Sequence, residues 1–228
     1  MPRYVFSRRF PTLLVRYDRF VENKNDEERE KIRLAILYRD DIQNAFFQIH
    51  WRQFEILCAH LLKCLGCQFV WVTSNIKEGG IDICGIAEPS CLIFKRSIVK
   101  AKTGIVVQVK KWQRKMDEPH IDEFRTKFND FLKGDHKIMP KLPREFLECS
   151  EFYALVMVSS WFTSDAVAAA KKGKPSIFLY DGEQIAENLI TLHDFQAVER
   201  WFIKHKGKEV FHKKNFTSWI ESIDINEI

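Results

Sequence analysis

The sequence predicts an α/β domain, a mixed sheet core flanked by helices, with an N-terminal helical extension. Two observations carry this expectation. Apolar residues recur at helical spacing as far as Leu65, and from Cys67 to Trp112 the period shortens to that of strands. After Trp112, helical and strand-like runs alternate to the C-terminal region. The predicted order is helix, three strands, helix, strand, helix, strand, helix, within one domain of 228 residues.

Each element has a local reason. The segment NKNDEEREKIRLAILYRDDIQNAFFQ opens with Asn25 or Asp26 as N-cap and acidic residues in its first turn, then repeats Ile32, Leu34, Ala35, Leu37, Ile42, Ala45, Phe46 and Ile49. Trp51 to Leu65 is amphipathic, with Phe54, Leu57, Cys58, Leu61, Leu62 and Leu65 on its apolar stripe and Gly66 at the C-cap. CQFVWV (67–72), IDICGI (81–86), CLIF (91–94) and GIVVQVKKW (104–112) are β-formers, separated by the turn chemistry of TSNIKEGG and KAKTG. Residues 121–132 read as a helix carrying Phe124, Phe128 and Phe131, and a polar insertion with prolines covers 134–150. FYALVMVSS (152–160) is apolar enough for a strand buried on both faces. A helix capped by Ser164 and closed by Gly173, a strand at 176–180, a helix at 181–190 and another from Phe195 to Lys204 complete the chain.

Composition removes several function classes. A 46% hydrophobic fraction with 19 Phe and 6 Trp excludes a disordered chain. No apolar run approaches the ~20 residues that cross a bilayer, and Arg or Asp interrupts every short apolar run of the first twenty residues. A soluble, cytoplasmic protein with no membrane partner is expected. Cysteines 58, 64, 67, 84, 91 and 149 are expected as free thiols rather than disulfides. Cys58, His60, Cys64 and Cys67 lie close together, but only His60 and Cys64 share a helix face, so zinc is not expected there.

The net charge of +5 is unevenly spread. From Pro89 through Met116 there is no carboxylate, while Lys95, Arg96, Lys100, Lys102, Lys110, Lys111, Arg114 and Lys115 all fall there. These cations, with Trp112, are the expected contacts to a phosphate backbone. Lys204, Lys206, Lys208, Lys213 and Lys214 form a second basic stretch, either a solvated face or a further phosphate contact.

One constellation carries chemistry. Gly79-Gly80 turns the chain into a strand with Asp82 near its start. Gln108 and Lys110, two residues apart on a strand that otherwise reads Ile105, Val106, Val107 and Val109, point to the same face. Burying an amide and an ammonium is costly unless they are paired or bind something; the competing reading is the solvent side of an edge strand. A divalent cation needs oxygen ligands, and a lysine beside it can orient or deprotonate water. Asp82, Gln108 and Lys110 supply those parts.

GGIDI, VQVKKW, IDEFR, the buried strand followed by WFTSDAVAAA, and IFLYDGEQIAENL occur in an order that resembles the Mrr-type restriction endonuclease catalytic domain, of the PD-(D/E)xK nuclease superfamily. The resemblance covers roughly residues 50 to 192. It implies a restriction-endonuclease-like sheet core, Mg²⁺ dependence with Mn²⁺ as a substitute, and cleavage of double-stranded DNA in restriction or anti-phage defence. It also implies that Asp82 is the metal-binding aspartate and that Gln108 and Lys110 are the Q and K of its QxK motif. Glu55 in WRQFE matches a helical glutamate that often completes such sites, against the alternative of a solvated surface residue. Gln108 stands where the superfamily more often has an acid, leaving one negative charge fewer for the cation. The expected organisation is a basic, helical extension over 1–50, a nuclease core over 51–192, and a basic, helical segment over 193–228. A homodimer or a subunit of a defence complex is the expected assembly. The competing functions are a nucleic-acid-binding subunit with weak catalysis and an effector switched by a partner.

Overall fold

The computed structural model describes residues 24–73, 80–87 and 102–224. The basic residues of the first twenty-three positions, the expected strand at 91–94, and Lys95, Arg96 and Lys100 lie outside the described residues.

Two helices lead into the sheet. Helix α1 (Asp26–Phe46) starts from a capping box in which Asn25 accepts from the Glu28 amide at 2.8 Å and Glu28 accepts in return from the Asn25 amide. Helix α2 (Trp51–Cys64) follows after one turn, with His50 as N-cap, and Gly66 takes the positive φ that ends it.

Five strands form the central sheet in the order β1 (Cys67–Val72), β2 (Ile83–Ala87), β3 (Thr103–Lys110), β4 (Glu151–Val158) and β5 (Ile177–Tyr180). The first three are antiparallel neighbours, whereas β3–β4 and β4–β5 are parallel. A mixed sheet results because helical crossovers join β3 to β4 and β4 to β5, as parallel neighbours require. Strand β3 is therefore central, paired on both sides, and not the edge strand that would have made its polar residues ordinary.

Alternation of side chains divides the core in two. Ile83, Ile105, Val107, Val109, Leu155 and Met157 face α1, α2 and α6 (Gly182–Leu192). Cys84, Val106, Ala154, Val156 and Val158 face α3 (Glu118–Lys133) and α5 (Ser164–Lys172), with Phe146 of the short α4 (Arg144–Leu147) closing that layer. Helix α1 belongs to the first layer rather than standing apart, since Leu34, Ala35, Ile42, Ala45 and Phe46 are all in its core.

Three local expectations are corrected. The N-cap of α5 is Thr163, whose hydroxyl accepts from the Ala166 amide at 3.1 Å, rather than Ser164. Helix α3 starts three residues earlier than expected, with Pro119 in its first turn. The helix expected over Phe195 to Lys204 stops at Glu199 as α7 (Phe195–Glu199), and a hairpin replaces its second half: β6 (Phe202–His205) and β7 (Lys208–Phe211). Lys206 and Gly207, with φ of 50° and 74°, make the two-residue turn that such a hairpin favours. Helix α8 (Lys213–Glu221) closes the described chain. Among the described residues no helix is long and apolar enough to cross a membrane.

Candidate active site

The site forms where β2 ends before β3 does. The last pair of the ladder is Ile83 with Val107, and the Asp82 amide still donates to the Val107 carbonyl at 2.8 Å. The next inward amide of β3, Val109, no longer has a strand partner on that side. Asp82 Oδ2 accepts from it at 2.7 Å, so the side chain takes over where the ladder stops. Gly80 bends the chain into this position at φ +67°. A side chain there would also stand 2.5 Å from Lys127 Nζ and 2.9 Å from Gln108 Nε2, so both conformation and space call for glycine.

Gln108 is 2% exposed in the middle of the sheet. Its Nε2 donates to the Gly80 carbonyl at 2.9 Å. A carbonyl only accepts, which settles the amide orientation and makes Oε1 the end available as a ligand. Lys110, one alternation further along the same face, is half-buried at the C-terminal end of β3.

Burial pushes the Asp82 carboxyl above its ordinary range, opposed by the Val109 amide and by the charges of Lys110 and Lys127. Glu55, expected from the matching motif, is 8% exposed on α2 and pairs with Arg52 at 3.2 Å. The intervening Cys58 thiol is raised well above normal by burial and then by the charges of both Glu55 and Asp82.

Two participants were missed by sequence reasoning. Lys127 and Glu123 of α3 form an i, i+4 pair at 2.5 Å beside Gly80 and Asp82, and Lys127, then Lys110 more weakly, draws the Glu123 carboxyl below its usual range. Their only sequence signal was their place on the polar side of the Phe124–Phe128 stripe.

The expected basic contacts divide. Trp112 follows the site, with Lys110 Nζ 5.9 Å from its ring centroid, the Arg114 guanidinium at 4.9 Å and the His120 ring edge-on at 4.6 Å. Arg114 and Lys115 are exposed on this loop. The loop itself is held to the end of β4 by Ser159 and Ser160, whose hydroxyls donate to the carbonyls of Trp112 and Arg114 at 2.9 and 2.6 Å. Lys111 instead donates to the Phe47 carbonyl at 3.1 Å, bracing the end of α1. Lys102 precedes β3, so the whole strand, about 25 Å, separates it from Lys110.

The donor types suit a hard divalent cation: the half-buried Asp82 carboxylate, the oriented Gln108 amide oxygen and the Glu55 carboxylate of α2, with waters to complete a shell.

Residues 46–139 match the Mrr catalytic-domain family of restriction endonucleases. The resemblance read from the sequence is borne out over that stretch, which contains Glu55, Asp82, Gln108, Lys110, Glu123 and Lys127. Among solved structures, the DNA modification-dependent restriction endonuclease AspBHI is similar at 12% identity and a TM-score of 0.46, over 88% of this chain and 40% of that one. The MspJI restriction endonuclease, in complex with a 27-mer oligonucleotide, is similar at 12% identity and a TM-score of 0.44, over 72% and 34%. The chain therefore spans well under half the length of either. No curated protein sequence matches it.

Proposed function

We propose that this chain is a divalent-metal-dependent endonuclease that hydrolyses phosphodiester bonds of double-stranded DNA, in restriction or anti-phage defence. The observation that carries this reading is Gln108: a buried amide, locked by Gly80 so that its oxygen is free, on the same strand face as Lys110, with the half-buried Asp82 bound to the next backbone amide of that strand. Asp82, Gln108 and Glu55 would hold Mg²⁺, with Mn²⁺ as a substitute. When bound, the cation supplies charge for the phosphoryl oxygens and lowers the pKa of a ligated water. Lys110 would orient the attacking water and offset charge that develops on the phosphate. The Val109 amide holds the Asp82 carboxylate in position, and Lys127 with Glu123 balances charge at its rim.

Neutral Gln108 favours one second reading, a DNA-binding subunit with weak catalysis that a partner or self-assembly activates. Plasmid and linear DNA, methylated and unmethylated, incubated with Mg²⁺, Mn²⁺ or EDTA separate the two. Cleavage is expected with either metal and none in EDTA. Asp82→Ala and Lys110→Ala should each abolish it with the fold preserved by circular dichroism; cutting by either folded variant would remove the assignment.

A further inference from the structure

Helix α2 carries a second group of metal-ligating side chains, about 8 to 14 Å further along its axis than Glu55. His60 and Cys64, one turn apart, place Nε2 and Sγ 3.7 Å from each other. His193, the C-cap of α6, comes from far along the chain to the same place, and one ligand atom from each of the three lies within 4.8 Å of the others.

The surroundings suit a cation-binding site more than a casual contact. The His60 and His193 rings meet edge-to-face at 5.1 Å, and Trp219 of α8 covers both, at 5.7 and 5.0 Å. His193 Nε2 is buried without a hydrogen-bond partner among the described residues, a costly state when nothing compensates. Lys63 and Lys31 add positive charge beside His60 and His193, Asp194 opposes it at His193, and burial raises the Cys64 thiol above its ordinary range, so a bound cation would have to displace the thiol proton.

The ligand chemistry selects the metal. Two imidazoles and a thiolate are borderline-soft donors, poor for Mg²⁺ and suited to Zn²⁺. Tetrahedral zinc separates its nitrogen and sulfur ligands by roughly 3.6 Å, which the His60–Cys64 pair already meets. The remaining separations close by about 1 Å, within reach of side-chain rotation at the helix end. Three protein ligands are the number found where water takes the fourth position.

We propose that His60, Cys64 and His193 bind Zn²⁺ or a cation of the same class, tying α2 to the junction of α6 and α7 and separate from the nuclease site. The competing structure is a plain thiol–imidazole hydrogen bond inside an aromatic cluster.

The probe is Co²⁺, titrated into the full chain after removal of metals. A saturable thiolate-to-cobalt absorption band with visible d–d bands is expected, displaced by Zn²⁺. Cys64→Ser should lose the band and His193→Gln should weaken it. Asp82→Ala should keep it, because a carboxylate site produces no sulfur band. No band, or a band that persists in folded Cys64→Ser, overturns the proposal. If Cys64→Ser does not fold, the wild type decides. Zn²⁺, but not Mg²⁺, should slow alkylation of the Cys64 peptide by about tenfold or more, and equal rates overturn the site.

Discussion

Gln108 shows how much a single buried amide can determine. Its nitrogen is committed to Gly80, which leaves the oxygen as the end that the proposed cation would meet. Gln108→Glu would place a charge at the same point but lose the donor to Gly80. We expect it to retain cleavage and to lower the Mg²⁺ concentration for half-maximal rate by about tenfold, the effect of ~1.4 kcal/mol of added cation affinity. A folded but inactive Gln108→Glu would show that the Gly80 hydrogen bond matters more than the ligand oxygen. Glu55 is the complementary case. Its near-complete burial on α2 removes the solvated-surface reading. Glu55→Gln should raise the Mg²⁺ requirement, and an unchanged Mg²⁺ titration would leave Glu55 only as the partner of Arg52.

At the scale of elements, α1 is fastened to α6 by one cation. Arg39 reaches Glu183 at 3.2 Å and Glu187 at 3.1 Å, with Asp40 at 3.1 Å, while Gln43 of the same helix donates to the Ser159 carbonyl at 3.1 Å. Removing Arg39 would leave carboxylates partly buried without their cation. Arg39→Ala should therefore cost roughly 1–3 kcal/mol, below the figure for a fully buried pair because its partners are partly exposed. The deficit has a pH signature. Burial raises the Glu187 carboxyl above its ordinary 4.5, with Arg39 opposing the rise. A carboxyl with a raised folded pKa binds protons more readily in the native state, so its contribution to stability falls as pH climbs from 4.5 through the folded value. Without Arg39 that fall deepens. Urea unfolding should show a larger deficit at neutral pH than near pH 4, and an equal deficit at both would exclude the charge mechanism. The same scale explains the helix misread beyond Glu199. Residues 195–204 have usable helical periodicity, but the Lys206-Gly207 turn pairs Phe202 with Phe211 across strands and buries Trp201 in the core.

For the whole molecule, the question is where a duplex would lie. Arg114 and Lys115 project from a braced loop beside Lys110 and Trp112, whereas Lys111 is engaged with α1 and Lys102 is at the far end of β3. Salt titration of DNA affinity in Ca²⁺ should follow a log–log slope of about −0.9 per phosphate contact. Replacing Arg114 and Lys115 together with Gln should flatten it by up to about two units and weaken all sequences alike. Lys111→Gln should leave the slope nearly unchanged. An unaltered slope in the double variant would move the DNA path toward the exposed cations of the β6–β7 hairpin, Lys204, Lys206 and Lys208.

Much of this was legible along the chain. Helix and strand periods are local, so α1, α2, the β3 strand and the shared face of Gln108 and Lys110 follow from spacing alone. Asp82 near a strand start after Gly80 follows from turn chemistry, and the family motif added Glu55. Other properties belong only to the folded chain. That β3 is central, which makes Gln108 a buried amide instead of a surface one, depends on the parallel pairing with β4 across a long crossover. Lys127 comes to Asp82, and its partner Glu123 to Lys110, because α3 packs back over the sheet, and His193 meets His60 and Cys64 because α6 ends beside α2. No local period relates such residues. Their proximity is set by which apolar faces are buried together, and that choice is made by the packing of the whole core.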